Sequence, residues 1–215
     1  MHRERIQRLL PLAGVVFAAV MFAALYLTRG EADAGASSQA IFDYWHDHHG
    51  VQLVAALILA PYGAALIVVF AAVLRSTIRA HETDAALYSP IVLAGGIIAA
   101  VGLTVTGVLD AAVATSADRG ARDAVYVLAQ LQSYDWVPWV VGFGVMLLAA
   151  GVGGLRTLAL PKPLCWSALV LGILFLTPAG FFAAFALPIW TIATGIVLYR
   201  RSSAAAPISV ASAAA

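Results

Sequence analysis

The chain has 215 residues, of which 62% are hydrophobic and only 11% are charged, and its mean hydropathy is +0.93. These values lie outside the range of soluble globular domains and predict an integral membrane protein. A formal net charge of +1 gives no reason to expect a nucleic-acid partner. The single Cys165 cannot form an intramolecular disulfide, and the sequence has no zinc-type Cys/His spacing and no glycine-rich phosphate loop.

The first apolar run, residues 9–28, follows a basic segment and precedes an acidic, alanine-rich one. A secretory signal has an apolar core of about 7 to 15 residues and a small-residue cleavage site, which the stretch after Asp33 offers only vaguely. Because this run is longer than such a core, we expect a retained first span rather than a signal peptide.

Further apolar runs complete the predicted bundle. A helix needs roughly 20 apolar residues to cross about 30 Å of hydrocarbon. The sequence therefore predicts an all-α, polytopic membrane domain over residues 1–201 with six transmembrane helices, at 9–28, 51–74, 87–112, 136–155, 164–176 and 181–199. The last two runs are short and are separated by a turn signal at residues 177–180, which predicts a shallow hairpin.

Basic residues lie at alternate ends of these runs. In short loops, lysine and arginine favour the cytoplasmic side. Their positions predict that both termini are cytoplasmic and that the protein is a multi-pass protein of the cell membrane. Residues 202–215 are small and offer little to bury, which predicts a disordered cytoplasmic tail.

A polar segment, residues 38–49, precedes the second run. Ile41, Tyr44, Trp45 and His48 recur at helical spacing. Asp43 and Asp47 fall on the opposite side, so the pattern predicts a short amphipathic helix at the membrane interface.

The pattern over nearly the whole chain resembles a family of six-pass membrane proteins of high-GC bacteria that share a domain of unknown function. The matching features are the His/Asp-rich aromatic motif at residues 44–50, Arg75 at the end of the second span and the segment 160–166 at the start of the fifth. This resemblance implies the six-span fold and implies no activity.

Three histidines lie in the segment before the second run. His46 and His49 are spaced i, i+3 and, with Asp43, have the ligand types that suit zinc, copper or iron. On a helical wheel His48 lies on the apolar face and His46 towards the acids, so the three rings do not converge. We therefore favour membrane anchoring over a metal or haem site, and predict neither a metal nor a cofactor.

Two acidic residues are the candidate catalytic groups. Asp110 is the only acid within an apolar run, and ionisable residues in spans are often functional. It lies about 33 Å along the helix from Tyr88, near the outer boundary, which also fits an interfacial acid paired with Arg119 or Arg122. Asp135 lies at the same level and also fits a solvated helix end.

Aromatic and amide side chains near these acids predict an outward-facing ligand pocket, in which acids can donate protons and rings can stabilise a cation. Anchoring in the interfacial belt and helix packing are the alternatives for the same residues. The predicted ligand-binding residues are Tyr44, Trp45, His48, Tyr62, Gln130, Tyr134, Trp136, Trp139 and Trp190.

These features lead to two functional hypotheses. In the first, the protein binds an apolar isoprenoid or lipid and, if it is an enzyme, acts as an acid-initiated terpene cyclase, a class of small membrane-integral enzymes that it loosely resembles. In the second, it is an accessory or sensory subunit that forms homo- or hetero-oligomers through glycine-rich faces such as those of Gly144 and Gly153. Transport of polar cargo is disfavoured because the midplane has few polar groups.

Overall fold

A computed structural model describes residues 7–30, 35–83, 87–177 and 180–204, and within these ranges the regular elements are all helical. A 3-10 turn at Leu10–Leu12 leads into the first helix, and a π-helical segment at Ala55–Leu59 joins the second to the third. The α-helices are α1 (Ala13–Leu27), α2 (Ser38–Val54), α3 (Ala60–Arg79), α4 (Tyr88–Asp118), α5 (Arg122–Gln132), α6 (Trp136–Thr157), α7 (Lys162–Phe175) and α8 (Gly180–Ala204). The all-α prediction is confirmed.

The helices have the length and composition of membrane spans. Within the described ranges, five helical stretches are long and apolar enough to cross a bilayer: Gln7–Leu27, Ser38–Arg79, Tyr88–Asp118, Arg122–Thr157 and Phe182–Ser202. The apolar helix α7 has only 14 residues and would cover about 21 Å. This pattern indicates a multi-pass membrane protein, as predicted.

Buried side chains form two separate cores. The main core lies among α1, α3, α4, α6, α7 and α8 and contains Phe70, Phe143 and Trp190. The second, which we call the distal core, joins Trp45 of α2 to the last turns of α4 and to α5. The stretch Ser38–Arg79 has 42 residues, about 63 Å of helix or twice the thickness of the hydrocarbon, so it reaches both cores.

Glycines bring the first half of α4 and most of α6 into backbone contact. A Cβ atom added to Gly95 would lie 2.5 Å from the Met146 nitrogen, and one added to Gly142 would meet the backbone of Ala99. Small residues let membrane helices approach this closely. Gly144 and Gly153 likewise face side chains of the same chain. Helices of this chain therefore occupy the glycine-rich faces that we expected to bind a partner.

The predicted interfacial helix is part of a longer one. Ser37 Oγ accepts the Ala40 amide 3.2 Å away and starts α2, which continues through the π-helical segment into α3. Pro61 explains the segment, because its ring removes a hydrogen bond and clashes with the carbonyl four residues earlier, and a wider turn relieves both effects. The prediction of a separate helix at 38–49 was wrong.

The last two helices differ in length. The fifth predicted span agrees with α7, but α8 continues to Ala204, beyond the predicted end at residue 199. Residues 202–204 are therefore helical and not part of a disordered tail. The remainder of that predicted tail, the basic residues Arg3 and Arg5, and the turn residues 178–179 lie outside the described residues.

Candidate functional site

The two halves of α1 pack differently. Ala13, Gly14, Phe17 and Ala18 are buried, and a Cβ atom added to Gly14 would lie only 2.6 Å from the Phe70 ring. In the second half, from residue 19 to residue 27, no side chain is buried. The second half of α1 is therefore packed less tightly than the first half.

A cavity of about 160 Å³ lies beneath this half of α1. Its walls come from α1, the π-helical segment, the start of α3, α4 and one residue of α6. An apolar cavity of about 150 Å³ is large enough to hold benzene, so this one has the size for a small ring or the end of a branched chain. The lining residues are Val20, Met21, Ala24, Leu25, Thr28, Ala55, Leu59, Ala60, Gly63, Leu103, Thr106, Asp110 and Trp139.

Thr106 lines this cavity, and its hydroxyl oxygen is buried in the wall without a hydrogen-bond partner. Threonines in helices usually donate to the carbonyl four residues earlier, as Thr104 and Thr115 do on the same helix, at 2.9 and 2.7 Å. Leaving a buried polar group unpartnered costs about 1–3 kcal/mol. Thr106 thus places a buried, unpartnered hydroxyl in the wall of an otherwise mainly apolar space.

Asp110 lies one turn after Thr106 on α4 and lines the same cavity. The Gln132 side chain, at the end of α5, donates to Asp110 Oδ1 over 3.1 Å. Asp110 is only partly buried. It therefore lies between the cavity and the distal end of the bundle, the end that carries α5. Together, Thr106 and Asp110 form a polar edge on the cavity.

Asp135, the second predicted catalytic acid, is in the turn between α5 and α6 and does not line the cavity. Its Oδ2 atom is buried without a hydrogen-bond partner. The Thr106 side chain faces Asp135, although neither Thr106 Oγ1 nor Asp135 Oδ2 has hydrogen-bond geometry. Asp135 is therefore a neighbour of the polar edge and not a solvated helix end.

A buried polar bridge connects α1 to α2 beside the cavity. Gln52 is only 1% exposed, and its Nε2 donates to the Tyr44 hydroxyl over 2.8 Å. Tyr44 in turn donates to the Thr28 carbonyl at the end of α1, at 3.4 Å. Sequence reasoning overlooked Gln52, although an amide one residue inside an apolar run was a signal that could have singled it out.

The other aromatic residues predicted near the distal end do not line the cavity. Trp45 is 1% exposed in the distal core, whereas His48 is exposed and stacks on the Tyr44 ring with centroids 4.7 Å apart. Tyr134 and Trp136 are 70% and 43% exposed. Among the predicted aromatic residues, Trp139 alone lines this cavity.

The predicted pocket floor at Tyr62 and Trp190 does not form. Tyr62 points away from the bundle and is 64% exposed. Trp190 is buried in the main core, where its indole N–H donates to the Leu164 carbonyl over 3.0 Å and its ring meets Phe70 edge-on. Gln130 lies near the end of α5, is partly buried and does not line the cavity.

The histidines of α2 contact the end of α4. His46 Nδ1 lies 3.0 Å from the Ala117 carbonyl, and His49 Nε2 lies 3.5 Å from Asp118 Oδ1. Ile41 and Trp45 of the predicted apolar face are buried, together with Phe42, whereas His48 of that face is exposed. Among the described residues, no three His, Cys, Asp or Glu side chains are grouped as metal ligands.

No family model, curated protein or solved structure matches the chain. The resemblance to six-pass proteins of high-GC bacteria, and the looser one to membrane-integral terpene cyclases, therefore stay predictions. Function must be inferred from the chemistry of the cavity and its polar edge.

Proposed function

We propose that the protein binds a small apolar ligand of the isoprenoid or lipid class in the cavity beneath the second half of α1. The observation that carries this proposal is a mainly apolar cavity whose wall contains Asp110 and the buried, unpartnered hydroxyl of Thr106. A ligand that places a hydroxyl or carbonyl oxygen there would satisfy Thr106, while its hydrocarbon part would fill the remaining space. Asp110 would accept a hydrogen bond from a ligand hydroxyl.

The packing of α1 supports entry from the membrane. Phe22 and Tyr26, on this half of the helix, are 44% and 60% exposed. An apolar molecule dissolved in the bilayer would therefore reach the cavity beside α1 without crossing water. The volume admits a benzene-sized group, so the rest of a longer ligand would stay in the bilayer.

The catalytic form of this proposal is an acid-initiated cyclisation. A protonated Asp110 would transfer its proton to an alkene carbon of the ligand, and the face of Trp139 would stabilise the resulting carbocation. Loss of a proton from a neighbouring carbon to the Asp110 carboxylate would restore the acid. Asp110→Asn tests this step, because it is expected to abolish turnover while ligand binding remains.

We also propose six crossings of the cell membrane, with both termini in the cytoplasm. The support is the alternation of basic residues along the chain, with α7 as the short fifth crossing. Under this topology, a membrane-impermeant maleimide labels His49→Cys on intact cells. Labelling only after the cells are broken would contradict it.

Thr106→Val distinguishes an effect on ligand binding from an effect on folding, because we expect the stability of the protein to rise and its labelling by a ligand probe to fall. Valine has nearly the same shape but no hydroxyl, so the ligand-free protein gains about 1 kcal/mol of stability. Labelling by a photoreactive isoprenoid alcohol in lipid nanodiscs falls severalfold, because the ligand oxygen loses its partner. A loss of stability, or unchanged labelling, would contradict the proposal.

A matched pair on α1 tests the cavity itself. Ala24→Leu adds three carbons to the lining and is expected to reduce labelling by the same probe about tenfold, because it occupies the binding space. Ala23→Leu adds the same carbons on the exposed side of the helix and leaves labelling unchanged. Equal labelling of both variants would exclude this cavity as the binding site.

A further inference from the structure

A second crevice opens at the opposite end of α1. It has a volume of about 620 Å³ and lies between the segment leading into α1, the end of α3, the loop after α6 and the end of α8. This is the basic end of the bundle, where Arg75, Arg79 and Arg200 also lie. The proposed ligand cavity does not share a lining residue with it.

The lining of this crevice is amphiphilic. Leu10, Pro11, Val73 and Leu198 provide apolar side chains. Thr77, His81, Ser202 and Arg201 provide hydroxyl, imidazole and guanidinium groups. A crevice with both kinds of surface, at the end of a membrane helix bundle, matches a molecule that has a hydrocarbon part and a polar head.

Charge at the basic end strongly favours an anion. The described residues at this end include seven arginines and lysines: Arg8, Arg75, Arg79, Arg156, Lys162, Arg200 and Arg201. Glu82 is the only acid among them, and its Oε1 accepts the amides of Tyr88 and Ser89 at 2.9 and 3.1 Å. Among the residues that the structure describes, no other carboxylate at this end offsets the positive charge of the crevice.

Arg201 is the charged group fixed in the crevice. Its Nη1 donates to the Ala159 carbonyl over 2.6 Å, which holds the guanidinium at the wall. A guanidinium has five N–H donors in a planar fork that matches phosphate oxygens. The neighbouring polar groups are engaged with their own helices, since His81 Nδ1 lies 3.0 Å from the Thr77 carbonyl and the Ser202 hydroxyl donates to Tyr199. Recognition of an anion therefore depends mainly on Arg201.

We propose that this crevice binds an anionic phospholipid, with its headgroup phosphate on Arg201 and its acyl chains along Val73 and Leu198. Basic pockets between helices at one face of a membrane suit such headgroups. A zwitterionic lipid carries the same phosphate, but its ammonium group is repelled by the surrounding arginines. The site therefore selects phosphatidylglycerol over phosphatidylcholine.

The test uses the full-length protein, stripped of lipid in detergent and titrated with phosphatidylglycerol, phosphatidylcholine or inorganic phosphate. Native mass spectrometry counts the bound molecules. We expect phosphatidylglycerol to bind about tenfold more tightly than phosphatidylcholine, and Arg201→Gln to remove most of that difference. Arg200→Gln removes one charge from the adjacent residue, which does not line the crevice, and leaves the preference nearly intact.

Val73→Trp keeps Arg201 and fills the apolar wall, so it should weaken binding of phosphatidylglycerol even if Arg201→Gln fails to fold. Equal losses in Arg200→Gln and Arg201→Gln would overturn the proposal, because they would show a diffuse effect of charge. So would equal binding of the two lipids. Inorganic phosphate that displaces phosphatidylglycerol at equal concentration would identify a free-anion site instead.

Discussion

The seam between α4 and α6 and the second half of α1 illustrate two ways in which a membrane helix meets its neighbours. In the seam, Gly95 and Gly142 place backbone against backbone, with no room for a methyl group. Beneath α1 a space of about 160 Å³ remains, and the Thr106 hydroxyl, buried in its wall, lacks a hydrogen-bond partner. The seam between α4 and α6 has no space for a ligand. The region beneath α1 has both a cavity and a polar atom without a hydrogen-bond partner.

This difference teaches where rigidity and binding are located in the bundle. Between membrane helices, close van der Waals packing replaces the hydrophobic effect as the main stabilising force. The seam therefore contributes strongly to stability, while the second half of α1 contributes little. Ligand binding is expected at the region that the fold does not need for its own packing.

Gly95→Ala should have the largest effect on stability, because it adds a methyl group within the seam. The new methyl group would lie 2.5 Å from the Met146 nitrogen, so α4 and α6 must move apart. Overpacking usually lowers the free energy of unfolding by about 1–3 kcal/mol, and we expect a clash with backbone atoms to lower it by about 3 kcal/mol or more. Reversible unfolding in mixed detergent micelles measures the loss.

Gly50→Ala is the control for this variant. Gly50 is an exposed helical glycine with no atom within 4 Å of an added Cβ, so alanine should stabilise the helix by about 0.5–1 kcal/mol. If Gly95→Ala were as stable as Gly50→Ala, the close approach of α4 and α6 would be refuted.

Gln52→Leu should have an intermediate effect, confined to the region around α1. It removes the donor to the Tyr44 hydroxyl and thus weakens the bridge to Thr28. Loss of a buried hydrogen bond that leaves a partner behind costs about 1–3 kcal/mol. Hydrogen exchange should accelerate at the amides of residues 24–28 and stay unchanged in the seam at residues 95–103.

Tyr44→Phe interrupts the same bridge from the other side. Because the two side chains act as one unit, the double variant with Gln52→Leu should lose clearly less stability than the sum of the two single losses. Additive losses, or faster exchange in the seam, would show that the bridge does not act locally on α1.

Glu82→Gln should have the smallest effect, at the start of α4 where the seam begins. Burial raises the pKa of Glu82, but hydrogen bonds from Ser89 and Tyr88 and the charge of Arg79 outweigh it, so the pKa lies below its ordinary value of 4.5. A lowered pKa gives stability that is present above 4.5 and is lost as the pH falls through the folded-state value. Glutamine keeps an oxygen that can accept these amides and loses only a solvent-screened charge, so the variant should lose only about 0.3–0.5 kcal/mol at neutral pH.

The same measurement at low pH provides the check. Below the folded-state pKa of Glu82 the wild-type side chain is protonated, so wild type and Glu82→Gln should have nearly equal stability. A difference that stays constant with pH would show that the carboxylate charge has no role at the start of α4.

Much of the fold could be predicted from the apolar runs, because each of the six coincides with a helix. The sequence did not show that α2 continues into the second run, since Gly50 and the polar residues before it are typical of a break. The predicted apolar face of α2 was correct for Ile41 and Trp45, which are buried, but not for His48, which is exposed. Contact with α4 and α5 buries Phe42 together with Ile41 and Trp45, whereas the prediction assumed that only the membrane interface would order this segment.

The site was harder to predict than the fold. Asp110 was recognisable because an acid within an apolar run is unusual. Trp139 was recognisable because it lies near the start of an apolar run, at the level of Asp110. Thr106 was not, since most helical threonines bond to their own backbone and only the packing shows that this one does not. The predicted position of Tyr62 in a pocket was wrong, because the depth of a residue along a helix does not specify the direction in which its side chain points. It precedes the buried Gly63 by one residue, a rotation of about 100°.

The π-helical segment Ala55–Leu59 has a consequence for how the molecule can move. It lies in the helical stretch that connects the distal core to the main core, and its wider turn interrupts the regular α-helical hydrogen bonding of that stretch. Ala55 and Leu59 also form part of the cavity wall. A tilt of one core relative to the other would therefore change the shape of the cavity directly, so that the joint and the binding wall are made of the same residues.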